Sequence, residues 1–514
     1  MSGIKPIRGE DNDGKKCKVC RKEIWGKYPY CKKCYYKIKN NKQLFQIIKD
    51  EWKLEAKQEN EKYFYFVDEA EEILSGKKNM VIGRKGEGKT AIAQYICNQT
   101  ASDIFTEKMT FKNFPFNILY SLSDNHYTKP NQYISIWKYL IYTSICKQMI
   151  ANNKINAYIV EQLKKVFPSE DKKRNLSKLI KKYTLKEFGA QILGSGMNIG
   201  GEKEKADISW IETIDILEDT ILEHIDDSKY YIVFDELDED YKNFSDEIEK
   251  TNYFDLVTGL FKAVQDIKTL FEERKLKVFP IVFLRTDIYN LISYSDKNKW
   301  TDSCIKLIWT PEKLKKLLRF RLNVLFETKN LSFNECWRML FGAQEVVYGS
   351  RKRKRMDSFE YILRSTQNRP RDFVKYFQEC ANQTLNDNSL LITPQLIKNA
   401  DNEFSEYMKN EIIDEIYAVL PEYEDIFAIL SLIRKQTFNP AEFVEKYNQM
   451  VAEKVISDKG AEKVLKLLFD FSVIGNDPSI KHQAIFKYEK DSARFNFKEN
   501  IIVHRGLYKA LQIF

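Results

Sequence analysis

Long apolar runs are missing from this chain of 514 residues, and no stretch approaches the twenty or so residues that a membrane-spanning helix needs. The first residues, Met1-Ser2-Gly3-Ile4-Lys5-Pro6, lack the apolar core of a secretory signal, so a cytoplasmic protein with no membrane partner is expected. Histidine is scarce: His126, His224, His482 and His504 are scattered, which argues against a His-based hydrolase or a catalytic metal centre built on imidazoles. No nucleophile elbow is visible. Nor is there a disulfide framework. Cys97, Cys146, Cys304, Cys336 and Cys380 stand singly along the chain and read as reduced thiols.

Excess charge is absent from most of the chain. Residues 1–42 hold thirteen Lys/Arg against four Asp/Glu, which accounts for the whole net charge of +9. Beyond them, basic and acidic residues balance. A positive arm of this kind favours an anionic partner such as nucleic acid, or serves as a solubilising segment. The same arm carries Cys17-Lys18-Val19-Cys20 and Cys31-Lys32-Lys33-Cys34. Two C-x₂-C pairs can close a tetrahedral site around zinc with no position left for water, so a structural Zn²⁺ on Cys17, Cys20, Cys31 and Cys34 is expected. Four thiolates with Zn²⁺ are net negative, so the arm is less positive than its formal count. About forty residues bury too little apolar surface to fold alone, and the metal would supply the difference.

The octet Gly83-Arg84-Lys85-Gly86-Glu87-Gly88-Lys89-Thr90 fits the phosphate-binding loop G-x-x-x-x-G-K-[ST]. Met80-Val81-Ile82 reads as a buried strand before it, and Ala91-Ile92-Ala93-Gln94-Tyr95-Ile96 as a helix after it. Glycines let backbone N–H groups turn inward around an anion, and the positive end of the helix dipole faces the same point. Lys89 supplies a mobile charge for the outer phosphates, and the Thr90 hydroxyl offers a ligand to Mg²⁺. Gly83 through Ala91 is therefore the expected nucleotide cradle.

Such a loop needs a metal-holding carboxylate on a neighbouring strand. Tyr230-Tyr231-Ile232-Val233-Phe234 ends in Asp235 and Glu236. Asp235 is the expected Mg²⁺ residue and Glu236 the expected base for an attacking water, with Asp238 and Glu239 as alternatives. Further strands are read at Phe116–Tyr120, Val278–Leu284 and Ile305–Trp309. The strand at 278–284 is followed by Arg285 and Thr286, either of which could monitor the outer phosphate. The fold expected is α/β: a phosphate-loop NTPase core with a five-stranded, mostly parallel sheet, spanning residues 46–325 and interrupted by a helical insertion at about 125–205. A helical lid is expected at 326–410. A winged helix is expected at 411–514, its wing formed by Ala484–Tyr488 paired with Arg494–Phe497. The zinc module would occupy 1–45. Arg351-Lys352-Arg353-Lys354-Arg355, the densest basic run, reads as an exposed loop of the lid or as a phosphate contact.

These motifs resemble the AAA+ and STAND branch of phosphate-loop ATPases. More narrowly, Gly83–Ala93, Phe234–Glu239, Leu284–Tyr289, Asn368–Phe373 and His504–Leu511 resemble FunZ-type prokaryotic ATPases over residues 60–514. The resemblance implies ATP and Mg²⁺ as cofactors, a homo-oligomer, and a partner protein or nucleic acid moved or gated by nucleotide state. It also implies that Arg371, in Asn368-Arg369-Pro370-Arg371-Asp372-Phe373, touches nucleotide; an ion pair with Asp372 is the alternative. No arginine finger stands out, and Arg319 and Arg321 are the candidates. A nucleotide-gated switch with slow hydrolysis is the competing function.

Overall fold

The computed structural model describes residues 15–16, 22–24, 40–111, 131–167, 210–238, 247–294, 297–349, 354–478 and 484–513. Cys17, Cys20, Cys31 and Cys34 lie outside them. Two short strands, β1 (Lys15–Lys16) and β2 (Glu23–Ile24), pair antiparallel with Lys16 opposite Glu23. Helix α1 (Asn41–Glu51) follows. The chain divides into two compact units, Phe66–Ile308 and Met1–Tyr65 with Trp309–Phe514.

The unit Phe66–Ile308 is built on a parallel sheet. It opens with α2 (Asp68–Leu74), then β3 (Met80–Gly83), α3 (Lys89–Cys97) and β4 (Ile104–Thr110). Helices α4 (Ile134–Ala151), α5 (Ala157–Val166) and α6 (Trp210–His224) precede β5 (Lys229–Asp235). Then come α7 (Glu247–Glu273), β6 (Val278–Arg285), α8 (Thr286–Leu291) and β7 (Cys304–Lys306). The strand order is β4-β5-β6-β3-β7, with every neighbouring pair parallel. Residues Val81, Ile82, Tyr231–Phe234 and Ile281–Leu284 are buried, as central strands covered on both faces require. One strand, β6, separates the loop-bearing β3 from the acidic β5.

One strand end is corrected here, and one expected strand lies outside the described residues. The strand after α3 is β4 at 104–110; the segment 116–120 lies outside the described residues. The sequence of β4, Ile-Phe-Thr-Glu-Lys-Met-Thr, is too polar to read as a buried strand, and among the described residues β4 is the edge of the sheet, where charge is tolerated. The last strand stops at Lys306, short of Trp309. Helix α4 falls within the expected insertion at about 125–205, of which residues 168–205 lie outside the described residues. It is buried around almost its whole circumference and packs on β4, β5 and α7, with α6 laid against it. Trp137 donates from its indole to the Leu256 carbonyl on α7 at 2.8 Å, fixing that contact.

The other unit contains α9 (Pro311–Leu325), α10 (Phe333–Leu340), the hairpin of β8 (Glu345–Tyr348) and β9 (Lys354–Asp357), α11 (Ser358–Leu363), α12 (Pro370–Asn386) and α13 (Pro394–Ile416). The chain continues through α14 (Tyr423–Ile433), β10 (Thr437–Phe438), α15 (Pro440–Ala452), α16 (Ala461–Asp470), β11 (Ile474–Asp477) and β12 (Asn500–Val503). Start signals are legible: α9, α12, α13 and α15 all open on proline, and Asn439 with Glu442 forms a capping box. Helix α1 packs on α12, and the Asn41 amide donates to the Met339 and Leu390 carbonyls at 2.7 and 2.9 Å. One hydrophobic core runs from α1 through α9–α13 to α14–α16.

Residues 423–503 have the helix–strand–helix–helix–strand–strand order of a winged helix, with sheet order β10-β12-β11. The wing strands are not those expected. β11 pairs with β12, and the 484–488 segment contributes only an isolated bridge between Ile485 and Asn476. The alternation in Arg494-Phe495-Asn496-Phe497 reflects Phe495 and Phe497 packing as a T-shaped pair with centroids 4.7 Å apart, with no strand there. In the His504–Leu511 segment, a Cβ at Gly506 would lie 2.3 Å from the Ser365 backbone oxygen. Gly506→Ala is therefore expected to destabilise the protein by about 2 kcal/mol, readable as a lowered denaturant midpoint with nucleotide affinity unchanged.

Candidate functional site

The register brings the tips of four strands to one edge of the sheet. Gly83 lies opposite Arg285 across β3 and β6, and Thr110 opposite Asp235 across β4 and β5. This is the carboxyl end of a parallel sheet, where such folds bind ligands. Residues 84–88 form the loop between Gly83 at the end of β3 and Lys89 at the start of α3. Gly86 and Gly88 have φ of 83° and 97°, a left-handed conformation that side chains disfavour. A Cβ placed on Gly88 would meet nothing within 4 Å, so the space beside it at the helix N-terminus is open.

Glu87, 4% exposed, shapes the loop. Its carboxylate accepts from the Arg84 backbone N–H at 2.6 Å and from the Arg84 side chain at 2.8 Å. The Lys89 ammonium donates to the carbonyls of Gly83 and Arg84 at 2.9 and 3.0 Å, folding back across the loop. Burial pushes its pKa below the ordinary lysine value, and the nearby charge of Asp238 works against that. Lys89 is therefore held among carbonyls that a phosphate oxygen would outcompete.

Asp235 sits on the far side of the same space, 2% exposed. Its Oδ1 lies 3.5 Å from the Thr90 hydroxyl oxygen and its Oδ2 lies 2.7 Å from the Lys108 ammonium. Glu236 follows with φ of 62°, and its carboxylate accepts a short hydrogen bond from the Thr110 hydroxyl. Glu236 shares this left-handed conformation with eight other non-glycine residues among those described. Arg285 is buried and donates to Asp287 at 2.6 and 3.0 Å and to Asp238 at 3.4 Å. Asp238 is thus committed to Arg285, and Glu239 lies outside the described residues. Thr286, the other candidate at this tip, is the first residue of α8.

The structure therefore brings together Gly83, Arg84, Lys85, Gly86, Glu87, Gly88, Lys89, Thr90 and Ala91 with Asp235, Glu236 and the β6 tip. Two neighbours were missed by sequence reasoning: Lys108 and Thr110, both on the unrecognised strand β4. Only the recognition of that strand would have placed them.

Several candidates belong to the other unit. Arg371 pairs with Glu55 at 3.1 Å and Glu411 at 3.3 Å. Its expected alternative partner, Asp372, is instead held by Arg369, which also reaches Glu415. Arg321 is buried against Glu59, and Arg319 donates to the Leu331 carbonyl at 3.0 Å. Both finger candidates are engaged within their own unit. Of the basic run, Lys354 and Arg355 lie exposed on β9 rather than in a loop; 351–353 lie outside the described residues.

A magnesium ion fits the site on two grounds. Mg²⁺ takes one or two carboxylates with substrate phosphates, and it needs no cage of protein ligands. Asp235 Oδ2 and Lys108 Nζ are also buried without a well-aligned hydrogen bond, so that oxygen is held by charge alone. Among the described residues no cluster of three or more His, Cys, Asp or Glu suits a metal, and no helix is long and apolar enough to cross a membrane.

The parallel sheet, the glycine loop after β3 and the acids after β5 thus meet at one end of the α/β unit. Residues 312–413 match the FunZ-associated C-terminal helical domain. That segment corresponds to α9–α13. No curated protein matches the chain. Among solved structures, the Aeropyrum pernix ORC2 protein in ADPNP-ADP complexes is similar at 12% identity and a TM-score of 0.38, over 87% of this chain and 94% of that one. The Aeropyrum pernix ORC1 protein in complex with DNA follows at 10% identity and a TM-score of 0.32, over 93% and 91%. Cdc6p from Pyrobaculum aerophilum is similar at 12% identity and 0.27, over 86% and 91%. These likenesses run the length of the chains but superpose loosely.

Proposed function

We propose that this protein is an AAA+-type ATPase that binds and hydrolyses ATP in the Phe66–Ile308 unit and couples nucleotide state to engagement of nucleic acid or a partner protein. The observation that carries this reading is the approach of Thr90 to Asp235, 3.5 Å apart across 145 residues of sequence, beside Lys89. Backbone N–H groups of residues 84–90 bind the phosphates, and Lys89 turns from its carbonyls to neutralise their outer charge. Thr90 and Asp235 would hold a magnesium ion, which would supply electrostatic neutralisation of the transferring phosphoryl group. Glu236 accepts the proton of the attacking water. Arg285 or Thr286 monitors the outer phosphate from the β6 tip, and Arg371 is the candidate nucleotide sensor of the helical unit.

The winged-helix order of residues 423–503 supports contact with nucleic acid, and the positive arm of residues 1–42 supports it further. Candidate helix α16 offers Lys463 and Lys466 alongside Glu462 and Asp470, so a protein partner is an equal use of this surface. Measuring ATP turnover with and without DNA tests the reading. Magnesium-dependent turnover that DNA stimulates is expected; turnover that neither Lys89→Ala nor Glu236→Gln reduces overturns it.

A second reading is favoured by one feature. Glu236 is drawn to Thr110 at the sheet edge, which suits a slow nucleotide-gated switch, STAND-like, in a prokaryotic defence or signalling complex. Single-turnover rates and oligomer size with and without ATP separate the two: fast steady turnover removes the switch.

The arm is proposed to hold one structural zinc through Cys17, Cys20, Cys31 and Cys34. Elemental analysis of purified protein should find zinc at one equivalent per chain, lost on replacing Cys17 and Cys31 by serine. If the metal persists in that variant, the cysteines are not its ligands.

A further inference from the structure

Lys108 takes no part in the nucleotide chemistry just described, yet it makes the closest charged contact to the magnesium residue. Its place follows from register. Thr110 is opposite Asp235, and alternate residues of a strand share a face, so Lys108 shares Thr110's face and stands diagonal to Asp235. Its ammonium lies 2.7 Å from Asp235 Oδ2, while Oδ1 of the same carboxylate lies 3.5 Å from Thr90. The contact is unusual in kind. Both Lys108 Nζ and Asp235 Oδ2 are buried, and neither makes a well-aligned hydrogen bond, so mutual charge holds them together.

A carboxylate this deeply buried needs a countercharge whenever the site is empty of metal. Lys108 provides one from a rigid strand. A divalent cation brought to the same carboxylate puts two positive centres side by side, and these repel. One of them must give way.

We propose that Lys108 is the built-in counter-ion of the nucleotide-free site and that it sets how much Mg²⁺ the site requires before it takes a triphosphate. This rests on the nucleotide reading given above. Any ligand that favours one of two states shifts their balance only by its differential affinity, so the lysine raises the cation concentration at which the loaded state wins.

The test is a Mg²⁺ titration of the full-length protein with a fluorescent, non-hydrolysable ATP analogue at fixed concentration, followed by anisotropy. In Lys108→Met the Mg²⁺ midpoint should fall about tenfold, and in Lys108→Arg, which keeps the charge, it should stay with the wild type. Thermal melting reports whether each variant folds, and Lys108→Gln replaces the methionine variant if that one does not. A lysine that merely braced the carboxylate would have the opposite signature: its removal would raise the midpoint. An unchanged or raised midpoint in the charge-removing variant overturns the proposal. If the wild type binds no analogue at any Mg²⁺ concentration, the nucleotide reading itself fails, and that outcome is distinct from a failure of Lys108.

Discussion

Lys89→Ala is expected to lower affinity for MgATP by about two orders of magnitude, leaving no measurable binding at ordinary protein concentrations. The ammonium is already inside the loop, bonded to the Gly83 and Arg84 carbonyls, so it needs only a short swing to reach a phosphate. Charge-assisted hydrogen bonds to phosphate contribute ~3 kcal/mol at such a site, which is about a hundredfold in affinity. The fold should survive the change. Burial opposes the lysine's charge in the free protein, and alanine relieves that cost. Equilibrium binding of a fluorescent ATP analogue, with thermal melting as the fold control, reads both parts. Wild-type affinity in a folded Lys89→Ala protein would remove the loop from the site.

Glu236→Gln should separate binding from chemistry. Glutamine keeps the size and the ability to accept from Thr110, so the loop, Lys89 and Asp235 are undisturbed. It cannot accept a proton from water. General-base catalysis contributes about 10²–10⁴ in rate, so turnover should drop by that factor while analogue affinity changes by no more than about twofold. Normal turnover would move the base elsewhere, and Asp238 is a poor replacement because Arg285 already holds it.

How much of this was legible in the sequence depended on how apolar each element is. The loop, β3, β5 and β6 were readable because strands buried on both faces are largely apolar runs, Met80–Ile82, Tyr230–Phe234 and Val278–Leu284, each ending at a polar motif. The edge strand β4 was not, since Thr106, Glu107 and Lys108 break the run. With β4 went Thr110 and Lys108, the two side chains that contact Glu236 and Asp235. Helix α4 was recognised as helical, but a helix apolar on all sides has no stripe to indicate what it packs against. The wing was misread for a related reason. Alternation in Arg494–Phe497 is as well explained by two aromatic rings packing together as by a strand. The Arg371 and Asp372 pair shows the limit of neighbour reasoning on helices: the salt partners that form are three residues apart, Arg369 with Asp372, or distant, Arg371 with Glu411.

The central claim is that a triphosphate and its magnesium ion are gripped between the glycine loop and the acids at the end of β5. A crystal structure of the protein with a non-hydrolysable ATP analogue and Mg²⁺ tests it most directly. The account predicts phosphates wrapped by the backbone of residues 84–90, Lys89 on the outer phosphate, and the metal between Thr90 and Asp235 with Lys108 turned away. Nucleotide bound anywhere else, or a loaded loop with no metal near Asp235, would contradict it.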